Sequence, residues 1–239
     1  QDITQRQELD RMKSSLISTV SHELRTPLAA IKGYTTTLLA DDVEWDSQSQ
    51  REFLDIISLE TDHLTQLVSD LLDMSRIEAG NLTVSKLACD LNDLIREAAL
   101  HAHSQPGARL QLDIPPDLPP LFADPQRITA VLRNLIENAA KYSPPDAPIH
   151  INAHCEDGQI IIKIKDEGPG IPAAHGEHIF SSFYRIENGL ARQTTGAGLG
   201  LSISRGFVQA HGGKIWLEPV GSGTCIAFSL PQHDPEKVV

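Results

Sequence analysis

The chain has 239 residues, enough for two domains of ordinary size and too few for three. Apolar residues make up 40% and charged residues 22%, an ordinary globular composition that excludes a wholly disordered chain. Twenty Lys and Arg against 32 Asp and Glu leave a formal charge of −12, which argues against general affinity for nucleic acid or an anionic membrane. No run approaches the ~18 consecutive apolar residues of a membrane span, and no signal peptide opens the chain. The first residue is Gln1 rather than Met. The expectation is therefore a cytoplasmic piece of something longer, attached to a membrane, if at all, through segments outside these residues. Cys89, Cys155 and Cys225 lie far apart, with no CxxC pair, which fits a reducing compartment and neither a disulfide framework nor a zinc site. Charge is uneven: residues 1–80 carry 7 basic and 15 acidic side chains, the remainder 13 and 17.

Residues 1–80 read as two long helices. Leu9, Met12, Leu16, Val20 and Leu24 recur three and four apart, and Leu28, Ile31 and Leu38 continue the stripe past Pro27. Pro27 should therefore kink this helix rather than end it. Asp41 to Asp46 reads as a connecting loop. In the second helix Phe53, Ile57, Glu60, Leu64, Leu67, Leu71 and Met74 form a heptad pattern, ended by Gly80 as a C-cap. Such a hairpin buries little alone. It suits half of a four-helix homodimer, with Phe53, Ile57, Leu64, Leu67 and Leu71 as the expected interface. An internal coiled-coil spacer has the same periodicity.

After residue 81 the period changes. β-like runs at 109–114, 149–154, 159–166, 214–217 and 224–230 alternate with helical stretches near 91–102, 124–142 and 199–211. Asp90 and Asp124, the latter followed by Pro125, are the expected N-caps of the first two helices. Strict βαβ alternation is missing, which predicts an α+β two-layer sandwich with helices on one face of a mixed sheet. The expected division is 1–80, 81–233 and a short tail, 234–239. Residues 181–200 carry glycines but no apolar run, the mark of a lid or binding loop.

Four sites carry chemistry. His22 lies about 200° around the helix from both Val20 and Leu24, so it should project into solvent as a nucleophile or proton carrier. Glu23 can orient the ring or accept its proton, and Thr26 falls one turn on. Alone, such a residue is more often a plain surface histidine. Asn134, Asn138, Lys141 and Tyr142 share one face of the 124–142 helix, opposite Leu132, Leu135, Ile136 and Ala139. Two amides, an ammonium and a phenol suit a metal–phosphate ligand and a planar base, although a solvated face has a similar pattern. Asp166-Glu167-Gly168-Pro169-Gly170 places a carboxylate at a strand end where a ligand can come close, or makes a simple turn. Gly196-Ala197-Gly198-Leu199-Gly200-Leu201 leads into a helix, offering backbone N–H groups to phosphates. The Walker pattern GxxxxGK[ST] is absent from the sequence, and no strand precedes these glycines as a Rossmann fingerprint requires. His101 with His103, and His175 with His178, read as surface histidines rather than metal ligands.

Taken in order, Ser21-His22-Glu23-Leu24-Arg25-Thr26-Pro27-Leu28, Asn134 to Tyr142, Asp166 to Gly170, Phe180 with Phe183-Tyr184-Arg185, and Gly196 to Leu201 resemble the H, N, first-glycine, F and second-glycine boxes of two-component sensor histidine kinases. Gly212-Gly213 and Gly221 to Thr224 resemble the closing glycine features. The resemblance spans about residues 10–231. One departure is Ala197, where the family commonly has Thr or Ser.

The resemblance implies a homodimeric phosphotransfer hairpin followed by an ATP-binding domain of the Bergerat (GHKL) type. It implies His22 as phospho-acceptor, with Glu23 and Thr26 beside it. Asn138 becomes the Mg²⁺ ligand, Asn134 and Lys141 phosphate contacts, Tyr142 a ring against adenine, and Asp166 the acceptor for the adenine amino group. Gly168, Gly170, Gly196, Gly198, Leu199 and Gly200 belong to the implied nucleotide loops, and Arg185 or Arg192 offsets phosphate charge. The implied partner is the receiver domain of a response regulator, with no nucleic acid. Rival readings are a GHKL ATPase of gyrase or chaperone type and a nucleotide-binding scaffold without catalysis. The ATPases place a Glu base four residues before the magnesium Asn, where this sequence has Asn134, which cannot take a proton from water.

Overall fold

The computed structural model describes residues 2–40, 42–101, 109–186 and 197–232. Two helices come first, α1 (Asp2–Leu38) and α2 (Ser47–Glu78). Pro27 is buried inside α1, and the helix runs on past it, as the continuing stripe predicts. Asp46 caps α2, its Oδ1 accepting from the backbone N–H groups of Gln48 and Ser49, both at 2.9 Å. At the other end Gly80, at φ 66°, takes the left-handed position beyond the cap residue Ala79. The N–H groups of Gly80 and Asn81 then bond back to the carbonyls of Ile77 and Arg76, closing a Schellman motif.

The α1–α2 hairpin is pinned near its loop by three aromatic rings. Phe53 lies 5.4 Å from Tyr34 and 5.0 Å from Trp45, the latter edge-on. The Trp45 indole donates to the Thr37 carbonyl. This corrects the expected dimer face. Phe53 is turned onto its own chain, and Leu67, only 5% exposed, joins the core of the following domain together with Leu71. The exposed large apolar residues of α2 are Leu54, Leu59, Val68 and Leu72, at 54%, 60%, 45% and 56%. Leu54, Val68 and Leu72 recur 14 and 4 apart and share one helical face, about a quarter-turn from the expected one, while Leu59 lies on another.

The rest of the chain is a two-layer α/β unit. A five-stranded mixed sheet has the order β2 (Arg109–Asp113), β4 (Pro148–Glu156), β5 (Gln159–Lys165), β7 (Cys225–Pro231), β6 (Lys214–Glu218), with only β2–β4 parallel. Ile149, Ile151 and Ala153 of β4 alternate inward with Ile160, Ile162 and Ile164 of β5, and Ile226, Phe228 and Leu230 of β7 stand opposite them. On this face lie α3 (Leu91–His101), α4 (Pro125–Tyr142) and α5 (Gly200–Ala210). Asp90 and Asp124 cap α3 and α4 as expected, accepting from Asn92 N–H and Arg127 N–H. A small second sheet pairs β1 (Leu87–Cys89) with β3 (Leu121–Ala123), which the sequence pattern did not reveal. Among the described residues no helix is long and apolar enough to cross a membrane.

Candidate nucleotide and phospho-acceptor sites

Helix α4 is the backbone of the first site. Ile128, Val131, Leu132, Leu135, Ile136 and Ala139 are buried against the sheet, and Asn134, Asn138 and Lys141 lie half-buried along the flank of that stripe, with Tyr142 exposed at the helix end. The two amides form a chain: Asn138 Nδ2 donates to Asn134 Oδ1 at 3.3 Å, and Asn134 Nδ2 donates to Ser204 Oγ on α5 at 3.0 Å. Gly200 permits this approach. A methyl group there would overlap the Asn134 amide, so the N-terminus of α5 meets α4 only through glycine. Ser204 was not singled out from the sequence, since a lone serine inside a helix gives no signal.

The loop between Phe183 and Gly198 has a closed neck. Phe183 N–H donates to the Gly198 carbonyl at 2.9 Å, and both residues have positive φ, 63° and 70°. A side chain on Gly198 would press on the Phe183 and Tyr184 backbones at 3.1 Å. Leu199 is buried directly after it. Tyr184 Oη is 2.6 Å from His175 Nδ1, which gives that histidine a hydrogen-bonding role in the neck region. Arg185 stands exposed at the start of the loop. Gly196 and Arg192 lie outside the described residues.

At the other end of α4 sits Asp166, directly after β5 and 7% exposed. Its Oδ1 accepts from Gly168 N–H at 2.7 Å and Thr224 N–H at 3.1 Å. Burial pushes its carboxyl above the usual range, against the pull of these hydrogen bonds. Glycines make the pocket of backbone around it. A Cβ on Gly168 would come within 2.8 Å of Asp166 Oδ1 and 2.9 Å of the Tyr142 carbonyl, and Gly223, at φ 76°, packs on the Asp166 carbonyl. Gly170, at φ 77°, faces the Gly223 carbonyl. Thr224 is a site residue that the sequence reading placed only among closing glycine features. The Gly-Thr step entering a strand was the available signal. Tyr142 is exposed, with the Lys141 ammonium 5.4 Å from its ring centroid.

His22 belongs to a separate site. Its side chain is 77% exposed on α1, and its Nδ1 lies 4.0 Å from Glu23 Oε1. Thr26 Oγ1 donates to the His22 carbonyl at 3.2 Å. The Tyr34–Phe53 contact sets the antiparallel register of the hairpin. Counting equally from that contact along both helices brings His22 level with Thr65 on α2.

Comparison with known proteins agrees with this geometry. Residues 12–80 match the His Kinase A (phospho-acceptor) domain, and residues 123–234 match the histidine kinase-, DNA gyrase B-, and HSP90-like ATPase. The sensor protein kinase WalK of Staphylococcus aureus is 35% identical over 235 residues, covering 96% of this chain and 56% of WalK. This chain thus spans about half the length of the curated relatives it matches, or less, at 56% and 38% of the first two. Full-length ShkA, solved in complex with AMPPNP, superposes with a TM-score of 0.64 at 29% identity over 91% of this chain and 45% of ShkA. Histidine kinase ThkA, solved in complex with response regulator protein TrrA, gives 0.66 at 25% identity over 97% of this chain and 65% of that one. The helical hairpin and the ATPase sheet agree with these matches in kind and in order, and the chain belongs to the two-component sensor histidine kinases.

Proposed function

We propose that residues 1–80 and 81–233 form the phosphotransfer and ATP-binding domains of an autophosphorylating histidine kinase core, with 234–239 a tail. A nucleotide lies along α4. Its base meets Asp166 and Tyr142, and its phosphates meet Asn134, Asn138, Lys141 and the Gly198–Gly200 turn. The rise from residue 134 to 142 is about 12 Å, enough to separate base from phosphates. The raised Asp166 carboxyl sits at the buried end, where an exocyclic amine can replace lost water contacts. Arg185 at the loop's start is suited to offsetting phosphate charge.

Mg²⁺ fits the donor set. It is a hard ion that keeps most of its waters, and the Asn138 amide oxygen with phosphate oxygens suffices to hold it. When bound it neutralises charge on the β- and γ-phosphates. Phosphoryl transfer breaks the bond from γ-phosphorus to the bridging oxygen and forms one to an imidazole nitrogen of His22, releasing ADP. Glu23 is suited to aligning the ring and accepting its proton. The phosphoryl group then passes to an aspartate on a response-regulator receiver domain. The hairpin acts as a homodimer through its outward face, Leu54, Val68 and Leu72.

The observation that carries this reading is Asn134. It occupies the place of a water-activating base, its amide is committed to Ser204, and it cannot take a proton. Hydrolysis is therefore disfavoured relative to transfer to the exposed His22. Incubation with γ-labelled ATP tests it. Wild type should carry acid-labile label, and His22→Ala should carry none while still binding ATP. Free phosphate without protein label would favour the ATPase reading, and neither product would favour a scaffold.

A further inference from the structure

Helices α4 and α5 meet through a short chain of polar side chains. Asn134 and Asn138 stand four residues apart on α4, and Gly200 and Ser204 four apart on α5, so each pair shares one helical face. Gly200 supplies the shape of the contact. A Cβ there would overlap Asn134 Oδ1, so this oxygen rests on the first turn of α5. Ser204 supplies the partner. It is only 2% exposed, and its Oγ accepts from Asn134 Nδ2 at 3.0 Å. Asn138 Nδ2 in turn donates to Asn134 Oδ1 at 3.3 Å.

The order of these bonds decides which atom Asn138 turns outward. A side-chain amide carries its acceptor oxygen and its donor nitrogen on different sides of one plane. With Nδ2 committed to Asn134, Oδ1 is the atom directed away from it. Only the oxygen can serve a cation, because the NH2 group presents hydrogens. Were Asn134 turned over, its NH2 would face Asn138, which would have to answer with its oxygen and leave NH2 outward. A hydroxyl can accept or donate, so Ser204 alone does not select between the two arrangements. The start of α5 does, because the positive end of a helix favours the carbonyl oxygen of Asn134 over its NH2. Ser204 then makes the selected arrangement rigid. Without its hydroxyl the half-buried Asn134 Nδ2 loses this bond, and Asn134 can leave the rotamer on which Asn138 depends.

We propose that Ser204 is a positioning residue for the metal: acting through Asn134, it holds the Asn138 amide with its oxygen outward and available to Mg²⁺. The inference rests on the nucleotide reading above and goes beyond it, since Ser204 touches neither ion nor nucleotide in that reading. Removing a group that orients a metal ligand from behind typically costs about 10–100-fold in metal affinity. Ser204 acts through one intermediate residue, so the low end of that range applies.

Two measurements on the full chain test it. The first is affinity for the non-hydrolysable analogue AMPPNP, by calorimetry, with Mg²⁺ and again in EDTA. Ser204→Ala should weaken binding about tenfold with Mg²⁺ and by less than about twofold in EDTA. Ser204→Thr keeps the hydroxyl and should retain the wild-type ratio of the two affinities. Equal losses in both conditions would make Ser204 a packing residue and overturn the proposal, as would no loss in either. A Ser204→Thr protein that loses the Mg²⁺ effect as fully as Ser204→Ala would also overturn it. The second measurement is the side-chain amide NMR signals of Asn134 and Asn138 in nucleotide-free protein, assigned with Asn134→Ala and Asn138→Ala. Both signals should move in Ser204→Ala, and a stationary Asn138 signal would break the link between the amides. If wild type binds AMPPNP no better with Mg²⁺ than in EDTA, the metal reading itself fails, while the NMR arm still decides whether Ser204 holds the two amides.

Discussion

The two parts of the chain use apolar residues in opposite ways. In the ATPase domain Leu121, Ile128, Val131, Leu132, Ile149, Ile151, Ile160 and Ile162 have no exposure at all. In the hairpin, Leu28, Leu39, Leu54, Leu59, Val68 and Leu72 all stay exposed. A sheet covered by three helices closes a core by itself, whereas two helices expose half of every stripe. The ATPase domain is thus complete as one chain, and the hairpin is complete only as part of a larger bundle. Sites follow this division: Asp166 is fixed by buried backbone N–H groups, while His22 stands in the open.

The sharpest way to break this comparison is at the outward face of α2. Fully burying a leucine is worth roughly 1.5–3 kcal/mol, and two-fold symmetry counts each change twice. Leu72→Asp should therefore give a monomer by sedimentation, with helicity retained. Phe53→Ala should act differently. It removes packing on Tyr34 and Trp45 within one hairpin, so it should lower the hairpin's melting temperature rather than dissociate a dimer. A Leu72→Asp protein that stays dimeric would move the interface elsewhere.

That prediction also marks what periodicity can and cannot tell. The stripe from Phe53 to Leu71 was legible as apolar, yet a helix in a bundle has two apolar neighbours, its own hairpin partner and another helix. Only the rings of Tyr34 and Trp45, and the burial of Leu67 under the second domain, reveal which neighbour takes which residue. The ATPase strands were legible because β4 and β5 alternate over seven to nine residues. β1 and β3 have three residues each, too few for a period, and pair across more than thirty positions of chain. Within the site, the Asn134 and Asn138 face followed from helix geometry alone. The bond to Ser204 did not, because it depends on the glycine at 200 letting α5 approach.

A smaller effect tests whether the ATPase domain is held by ties of its own. His211, 1% exposed, ends α5. Its Nδ1 lies 2.7 Å from the Phe207 carbonyl and its Nε2 accepts from Asp124 N–H at 2.9 Å. This fixes the neutral tautomer, with the proton on Nδ1, and links the end of α5 to the start of α4. Burial holds its pKa below the ordinary 6.5. The unfolded chain therefore takes up a proton that the folded one refuses. The stability lost in this way begins as pH falls below about 6.5 and grows until the depressed folded pKa is reached. Thermal melts from pH 8 to pH 5 should show this loss in wild type. His211→Gln should start from a lower melting temperature and lack that part of the slope. An identical pH slope in the variant would mean that other groups carry it.

The smallest expected effect lies in the hairpin, at Thr26. Its hydroxyl donates to the His22 carbonyl at 3.2 Å, a bond that pins its proton and leaves oxygen lone pairs directed outward from an exposed position. Pro27 follows, and its missing N–H frees a carbonyl one residue further along, at Glu23. Two roles are therefore open to one hydroxyl. It can steady the helix where proline interrupts the ladder, or it can accept a hydrogen bond from a water beside His22. Such a water would attack a regulator's aspartyl phosphate, a mixed anhydride that needs positioning more than activation. Thr26 has no basic group, so it is not a base for transfer to His22, a role that the proposed function gives to Glu23. Thr26→Ala should then leave autophosphorylation and onward transfer within about twofold of wild type, while slowing dephosphorylation of the cognate regulator by about tenfold, the low end for a lost positioning contact. Thr26→Ser keeps the hydroxyl and should restore the phosphatase rate. Parallel losses of kinase and phosphatase activity in Thr26→Ala would assign the hydroxyl to the helix, and an unchanged phosphatase rate would remove it from the chemistry.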